Sequence, residues 1–138
     1  MMASQFSVAV RNARANAVET TIGASAILKI RTGAAPANCA AADTGTVLAT
    51  LNLPSDYMAA ASAGAIAKTG TWQDASADAT GTAGHFRLYA TDGTTCHHQG
   101  TVTFTGGGGD MTVNVTGAEF TAGQDFTITA YGWTEGNA

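Results

Sequence analysis

Residues 92–100 read DGTTCHHQG, and Cys96, His97 and His98 make this the one dense cluster of reactive side chains in the chain. Thiolate and imidazole together suit zinc. Converging on one point, they suit a nucleophile and its base. Strand geometry decides which chemistry is open. With Asp92-Gly93 as a two-residue hairpin turn, Tyr89 faces Cys96, Leu88 faces His97 and Arg87 faces His98. Side chains alternate across a strand, so Cys96 and His98 share a face with His85, Arg87 and Tyr89, while His97 points away. His85, Cys96 and His98 then lie within the reach of about 7–8 Å that same-face diagonal neighbours have. Three ligands are thereby available, but Arg87 opposite His98 would repel a cation, no fourth ligand is identifiable, and the paired-ligand spacing of zinc modules is missing. Cys96 and His98 run along one strand without converging, and no oxyanion-hole loop accompanies them. The expectation is a chain without catalytic residues, metal or cofactor: not an enzyme. The hairpin face reads as a polar outer or subunit-contact surface, with Cys96 a small apolar residue on it.

The other candidate motifs are weaker. GGGGD at 106–110 is like a phosphate-cradling loop, but such loops lead into a helix and usually carry Lys, and here an alternating strand pattern follows. It reads as a tight turn where backbones approach closely. Asp74, Asp78 and Asp110 are scattered in polar loops, with nothing to hold two of them in a cleft. Trp72, Trp133, Tyr57, Tyr131 and the phenylalanines read as core, with Tyr57 and Trp72 near enough to loops to serve a partner or a sugar instead.

The elements that position these residues follow from periodicity. Ser4 to about Glu19 has Phe6, Val10, Ala13 and Ala17 at helical spacing, with Ser4 as cap and Gly23 as stop. That helix packs either on its own domain or on a neighbouring subunit. Beyond Gly23 the period becomes two: Ala26, Leu28 and Ile30 alternate with polar residues, then Val47, Ala49, Leu51 and Leu53, with a long loop from Thr32 to Thr46 between them. Ala65 to Trp72 is a third strand and Gln73 to Gly84 a second polar loop. From His85 onward the chain reads as strand and turn, with Met111, Val113 and Val115, then Phe126, Ile128 and Ala130, facing inward. This is a mainly β protein, a single β-sandwich or small barrel with one N-terminal α-helix. Residues 1–23 form the helix or arm and 24–138 the β-rich domain.

Composition restricts function further. Charged residues are 12% of the 138, about half the usual share, and Ala and Gly supply one third. Six basic residues against ten acidic ones disfavour nucleic acid. No apolar run approaches the ~18 residues of a membrane span, and no secretory leader is evident. Cys39 and Cys96 are either free thiols in a reducing cytosol or one bond within or between chains.

The segment TGTAGHFRLYATDGTTCHHQGTV, followed by GGGGDMTVNVTGAEFTAGQDFTITAYGWT, resembles a family of small tailed-bacteriophage virion proteins. The resemblance rests on Gly81, Ala83, Phe86, Arg87, Asp92, Gly93, the GGGDM turn at 107–111, Gly123 and Gln124. It extends to the N-terminal helix, LKIRTGAAP and the VLATLNL strand. It implies a structural virion component, a head decoration (cement) protein bridging major capsid subunits, or alternatively a tail or neck component. It further implies contact with the major capsid protein, self-association, and a place in the virion after assembly in the bacterial cytoplasm. Nucleic acid, membrane and cofactor are not implied. Cys96, His97 and His98 depart from the family pattern, where that arm is apolar or small. Partner contacts are expected at Phe6, Val10, Arg11, Arg14, Cys96 and His98. A metal- or sugar-binding domain is the reading from another class.

Overall fold

The computed structural model describes residues 4–136. One helix, α1 (Val8–Ile22), precedes β1 (Ile27–Thr32), β2 (Val47–Asn52), β3 (Ala65–Ala67), β4 (Gln73–Asp74), β5 (Gly81–Tyr89), β6 (Cys96–Phe104), β7 (Met111–Val113), β8 (Glu119–Phe120) and β9 (Phe126–Thr134). The main path of the sheet runs β2-β1-β5-β6-β7-β9-β3, with β4 paired to β9 and β8 to β5. It curls into a half-barrel, so the expected mainly β fold with one helix is what forms.

Cross-strand rows give the sheet two unlike faces. Leu51, Leu28, Leu88 and His98 form one inner row, and Ala49, Ile30, Phe86 and Gly100 the next. Leu28, Ile30 and Phe86 are fully buried, and together with Val102, Met111, Val113, Phe126 and Ile128 they make the core. On the outer face the rows read Thr50, Lys29, Arg87, Gln99 and then Arg31, His85, Thr101. Alternation puts apolar residues on one face and these polar ones on the other.

Several expectations are corrected. Asp92-Gly93 sits inside a longer turn: Ala90 N–H donates to Thr95 O at 3.0 Å, and Asp92 Oδ1 accepts from the N–H groups of Thr94 and Thr95. A bulge follows between Leu88 and Tyr89. Tyr89 still pairs with Cys96, but Leu88 faces His98 and Arg87 faces Gln99. The extra residue flips every side chain beyond it, so Cys96 and His98 lie on opposite faces. A second bulge, where β9 passes β7, turns Ala130 outward, contrary to the alternation with Phe126 and Ile128, and buries Tyr131, as its core reading has it. The third strand ends at Ala67, and residues 73–84, expected as loop, hold β4 and the start of β5.

The glycine run serves topology. β6 and β7 pair in parallel, Val102 beside Met111, with only residues 105–110 between the strands. Parallel neighbours usually need a crossover of a dozen residues or more. Here the chain doubles back on itself: a Cβ on Gly107 or Gly109 would stand 2.8 Å from Thr103 side-chain atoms. Gly109 N–H donates to Thr103 Oγ1, and Asp110 Oδ2 accepts from Thr101 N–H and Oγ1.

α1 starts three residues later than its spacing suggested, capped by Ser7, whose Oγ accepts from Val10 N–H. Gly23, at φ 90°, ends it and donates to Glu19 O. Its packed stripe is Arg11, Ala15, Val18 and Ile22. Beside that stripe Asn12, Asn16 and Glu19 accept from backbone N–H groups of Gly64, Ala61, and both Tyr57 and Met58. The helix is thus docked largely by polar side chains on an irregular segment. The stripe Phe6, Val10, Ala13, Ala17 faces solvent.

Candidate functional site

Residues 33–46 lie across the outer face of β1, β5 and β6, and the polar rows exist to hold them. Asp43 is the hub. Its Oδ1 accepts from Arg87 Nη1 and from the Tyr89 hydroxyl at 2.7 Å, and its Oδ2 from Arg31 Nη2 at 3.0 Å. Arg87, only 1% exposed, also donates to the carbonyls of Ala41 (3.1 Å), Asn38 (3.2 Å) and Cys39 (2.9 Å). Gln99 donates to Pro36 O at 2.6 Å. His85 Nδ1 lies 2.8 Å from Gly33 O, and since a carbonyl only accepts, Nδ1 carries the proton. Lys29 stands over the Tyr89 ring and donates to Gly93 O.

The electrostatics match this geometry. Burial pushes the Asp43 carboxyl up, but hydrogen bonds from Tyr89 and Arg87 and the charges of Arg31 and Arg87 outweigh it, leaving it below its ordinary value. Burial and the bond to Asp43 push the Tyr89 phenol up to about 12. A guanidinium is never deprotonated in a protein, so it needs a buried acceptor set, and the loop supplies one. The terminal guanidinium nitrogens of Arg31 and Arg87 and the Gln99 amide thus point at the chain's own carbonyls and at Asp43.

His98 belongs to a different environment. On the inner row it lies 2.5 Å, Nδ1 to hydroxyl, from Tyr131, and its ring packs edge-on to Phe86 and Trp133. Burial holds it below the ordinary histidine range, with the Asp110 carboxylate pulling the other way. A shallow cleft of about 460 Å³ opens beside it, lined by Lys68, Asp110, Thr129 and Tyr131 among others. His97 points out and lines a hollow of about 250 Å³ with Ala17, Val18, Thr21 and Ile22 of α1.

The predicted trio is therefore split. His85 and Cys96 are on the outer face and His98 on the inner. Among the described residues no group of three His, Cys, Asp or Glu side chains could hold a metal ion. Tyr57 and Trp72 are core, at 0% and 1% exposure, so neither offers a stacking platform. No helix among the described residues is long and apolar enough to cross a membrane.

Of the residues expected at a partner contact, Phe6 and Val10 are 43% and 41% exposed. Val8, not singled out from the sequence, is 52% exposed as the first residue of α1, on the line of Arg11 and Ala15 and not of Val10. Arg14 stacks on Phe6 and pairs with Glu135 at 3.1 Å. Arg11 turns inward, 8% exposed, donating to Glu135 O and Ala63 O. Gly64 makes room for it: a Cβ there would meet Arg11 Nη2 at 2.7 Å. Cys96 and His98 are half-buried. The role of Asp43 as hub was missed, because no local pattern ties a loop acid to two arginines on separate strands. No protein-family model, curated protein or solved structure matches the chain.

Proposed function

We propose that this chain is a structural bacteriophage virion protein, a head decoration (cement) protein that bridges major capsid subunits and presents the outer face of α1 to its neighbour. The observation that carries the reading is the exposed apolar pair Phe6 and Val10, continued by Ala13 and Ala17 on the helix side away from the core. Apolar side chains clustered at a surface are an interaction feature when polar residues surround them. The segment resemblance to small virion proteins points to the same class, and a polar clamp directed wholly inward fits a scaffold better than an enzyme. Many copies, each burying modest area, would stabilise a shell through avidity. The revised contact set is Phe6, Val10 and Arg14; Arg11 serves as an internal brace.

The test is binding to shells that lack the protein. Purified chain should bind them and raise their melting temperature, and Phe6→Asp with Val10→Asp should abolish both effects. No binding and no shift with the unaltered chain would overturn the reading. Locating the protein in particles by cryo-EM separates the head position from a tail or neck one.

A further inference from the structure

Cys39 lies in the middle of the clamped loop and Cys96 begins β6, 57 residues further along the chain. Their sulfurs are 2.9 Å apart, and neither is bonded to another cysteine. Both are half-buried, so small reagents reach them while the sheet and loop hold them. The clamp accounts for the approach. Arg87 Nη2 holds the Cys39 carbonyl itself at 2.9 Å and the Asn38 carbonyl at 3.2 Å, while Nη1 holds that of Ala41 at 3.1 Å. Asn38 Oδ1 accepts from Ala40 and Ala41 N–H, fixing the turn that carries Cys39. On the other side Cys96 pairs with Tyr89, on the outer face with Arg87, and the bulge beyond it returns Gln99 to that same face. Had the hairpin kept an unbulged register beyond Cys96, its thiol would still face outward, but Gln99 and its bond to Pro36 O would not pin the adjoining loop.

We propose that Cys39 and Cys96 are a redox-responsive pair that closes to an intrachain disulfide and locks the 33–46 loop onto the sheet. A disulfide needs its sulfurs about 2.03–2.05 Å apart, so closure asks for a movement of under one ångström from a loop residue. The oxidant is a small-molecule disulfide such as oxidised glutathione. Cys39 sits on the covering loop and Cys96 on the strand beneath it, so Cys39 is the entry point; burial and the neighbouring sulfur also push the Cys96 thiol up to about 12. The Cys39 thiolate attacks one sulfur of the glutathione disulfide, whose S–S bond breaks and releases one glutathione thiolate to take up a proton. Cys96, losing its own proton, then attacks the Cys39 sulfur of the mixed disulfide. The Cys39–Cys96 bond forms and the second glutathione leaves. Two protein thiols are oxidised and one glutathione disulfide is reduced to two thiols.

The bond belongs to the folded chain alone and does not rest on the virion reading. Resting on that reading, one consequence follows: in a particle assembled in a reducing cytosol the pair stays open, and it closes when the particle is released.

The experiment uses the isolated full chain, equilibrated in glutathione buffers from fully reduced to fully oxidised, with free thiols counted and the peptides mapped without reduction. The expected result is loss of both thiols together, one peptide linking Cys39 to Cys96 in a monomer, and a melting temperature higher by on the order of 10 °C than that of the reduced chain. Cys39→Ser should fold, take up no bridge and melt like the reduced chain. The proposal is overturned by two thiols that stay free in oxidised glutathione, by a crosslink between chains, or by a bridge that lowers the melting temperature. Because no shell is present, its failure is distinct from failure of the proposed function.

Discussion

Arg87 is 1% exposed and Phe6 is 43% exposed: the molecule buries a guanidinium and leaves a phenyl ring in water. The two regions invert the usual preference, and for different reasons. The outer face of β1, β5 and β6 is polar because it is covered by a loop, and a loop offers carbonyls and one carboxylate instead of apolar surface. Arginine, with five donors in a fixed fork, is suited to such a cover. The outward stripe of α1 has no cover within the chain, because Asn12, Asn16 and Glu19 turn the opposite flank toward the 57–64 segment. Burial of charge therefore marks where the fold closes on itself, and exposure of apolar groups marks the surface that the proposed docking would use.

The largest break in this comparison should come at Asp43. Asp43→Ala leaves Arg31 and Arg87, 7% and 1% exposed, without their shared carboxylate. Removing one partner of a buried ion pair costs about 3–5 kcal/mol, and the open side of Asp43 puts this case near the lower figure. Calorimetry should show the melting temperature falling by on the order of 10 °C. A fall of a degree or two would mean the clamp is ornamental.

Acid should weaken the molecule in two separate steps. The His98 pKa is lowered in the folded chain, so the unfolded chain binds its proton first. Stability is full above the unfolded value of about 6.5 and declines as the pH falls below it, until folded His98 is protonated as well. Asp43 and Asp110 are also held below 3.8, and Asp92, bonded to Thr95 and Thr94, is brought down to about 2. Their contribution is present above the unfolded carboxylate value and is lost as the pH falls through the folded ones. Melting curves from pH 8 to pH 2 should resolve both steps, and His98→Gln should remove only the upper one.

The smallest effect on stability should come from the helix stripe. Phe6→Ala and Val10→Ser should each change unfolding free energy by no more than about 0.5 kcal/mol. A larger loss, read by denaturant titration, would show that the stripe already has an internal role and is not surface held in reserve.

How much of this the sequence showed depends on range. The presence of β1 and β2 and the inward Met111, Val113, Phe126 and Ile128 follow from two-residue periodicity, which is local. The breaks around Asp92-Gly93 and Gly106–Gly109 also lie where turn residues put them. The failures are of three physical kinds. Bulges beside Tyr89 and Thr129 each shift a strand by one residue, and nothing nearby announces them, so alternation puts His98 and Ala130 on the wrong face. α1 packs through amide and carboxylate side chains, which an apolar count cannot see, so spacing leaves open whether Phe6, Val10, Ala13 and Ala17 pack on their own domain, and they do not. The clamp joins Arg31, Asp43 and Arg87 across separate segments, and only the fold brings them together.

The ninth strand has a consequence for how the molecule is made. Among the described residues β3 and β4 have β9 as their only strand partner, and β7 has it on one side. Glu135, just beyond β9, also receives the bonds of Arg11 and Arg14. A chain synthesised only as far as Gln124 would hold β1, β2, β5 and β6 together while β3, β4 and one side of β7 had open edges and α1 lacked one of its braces. Emergence of the last strand would gather these edges in one step. Until then they are exposed to other chains, so premature truncation should produce aggregation-prone protein instead of a smaller working domain.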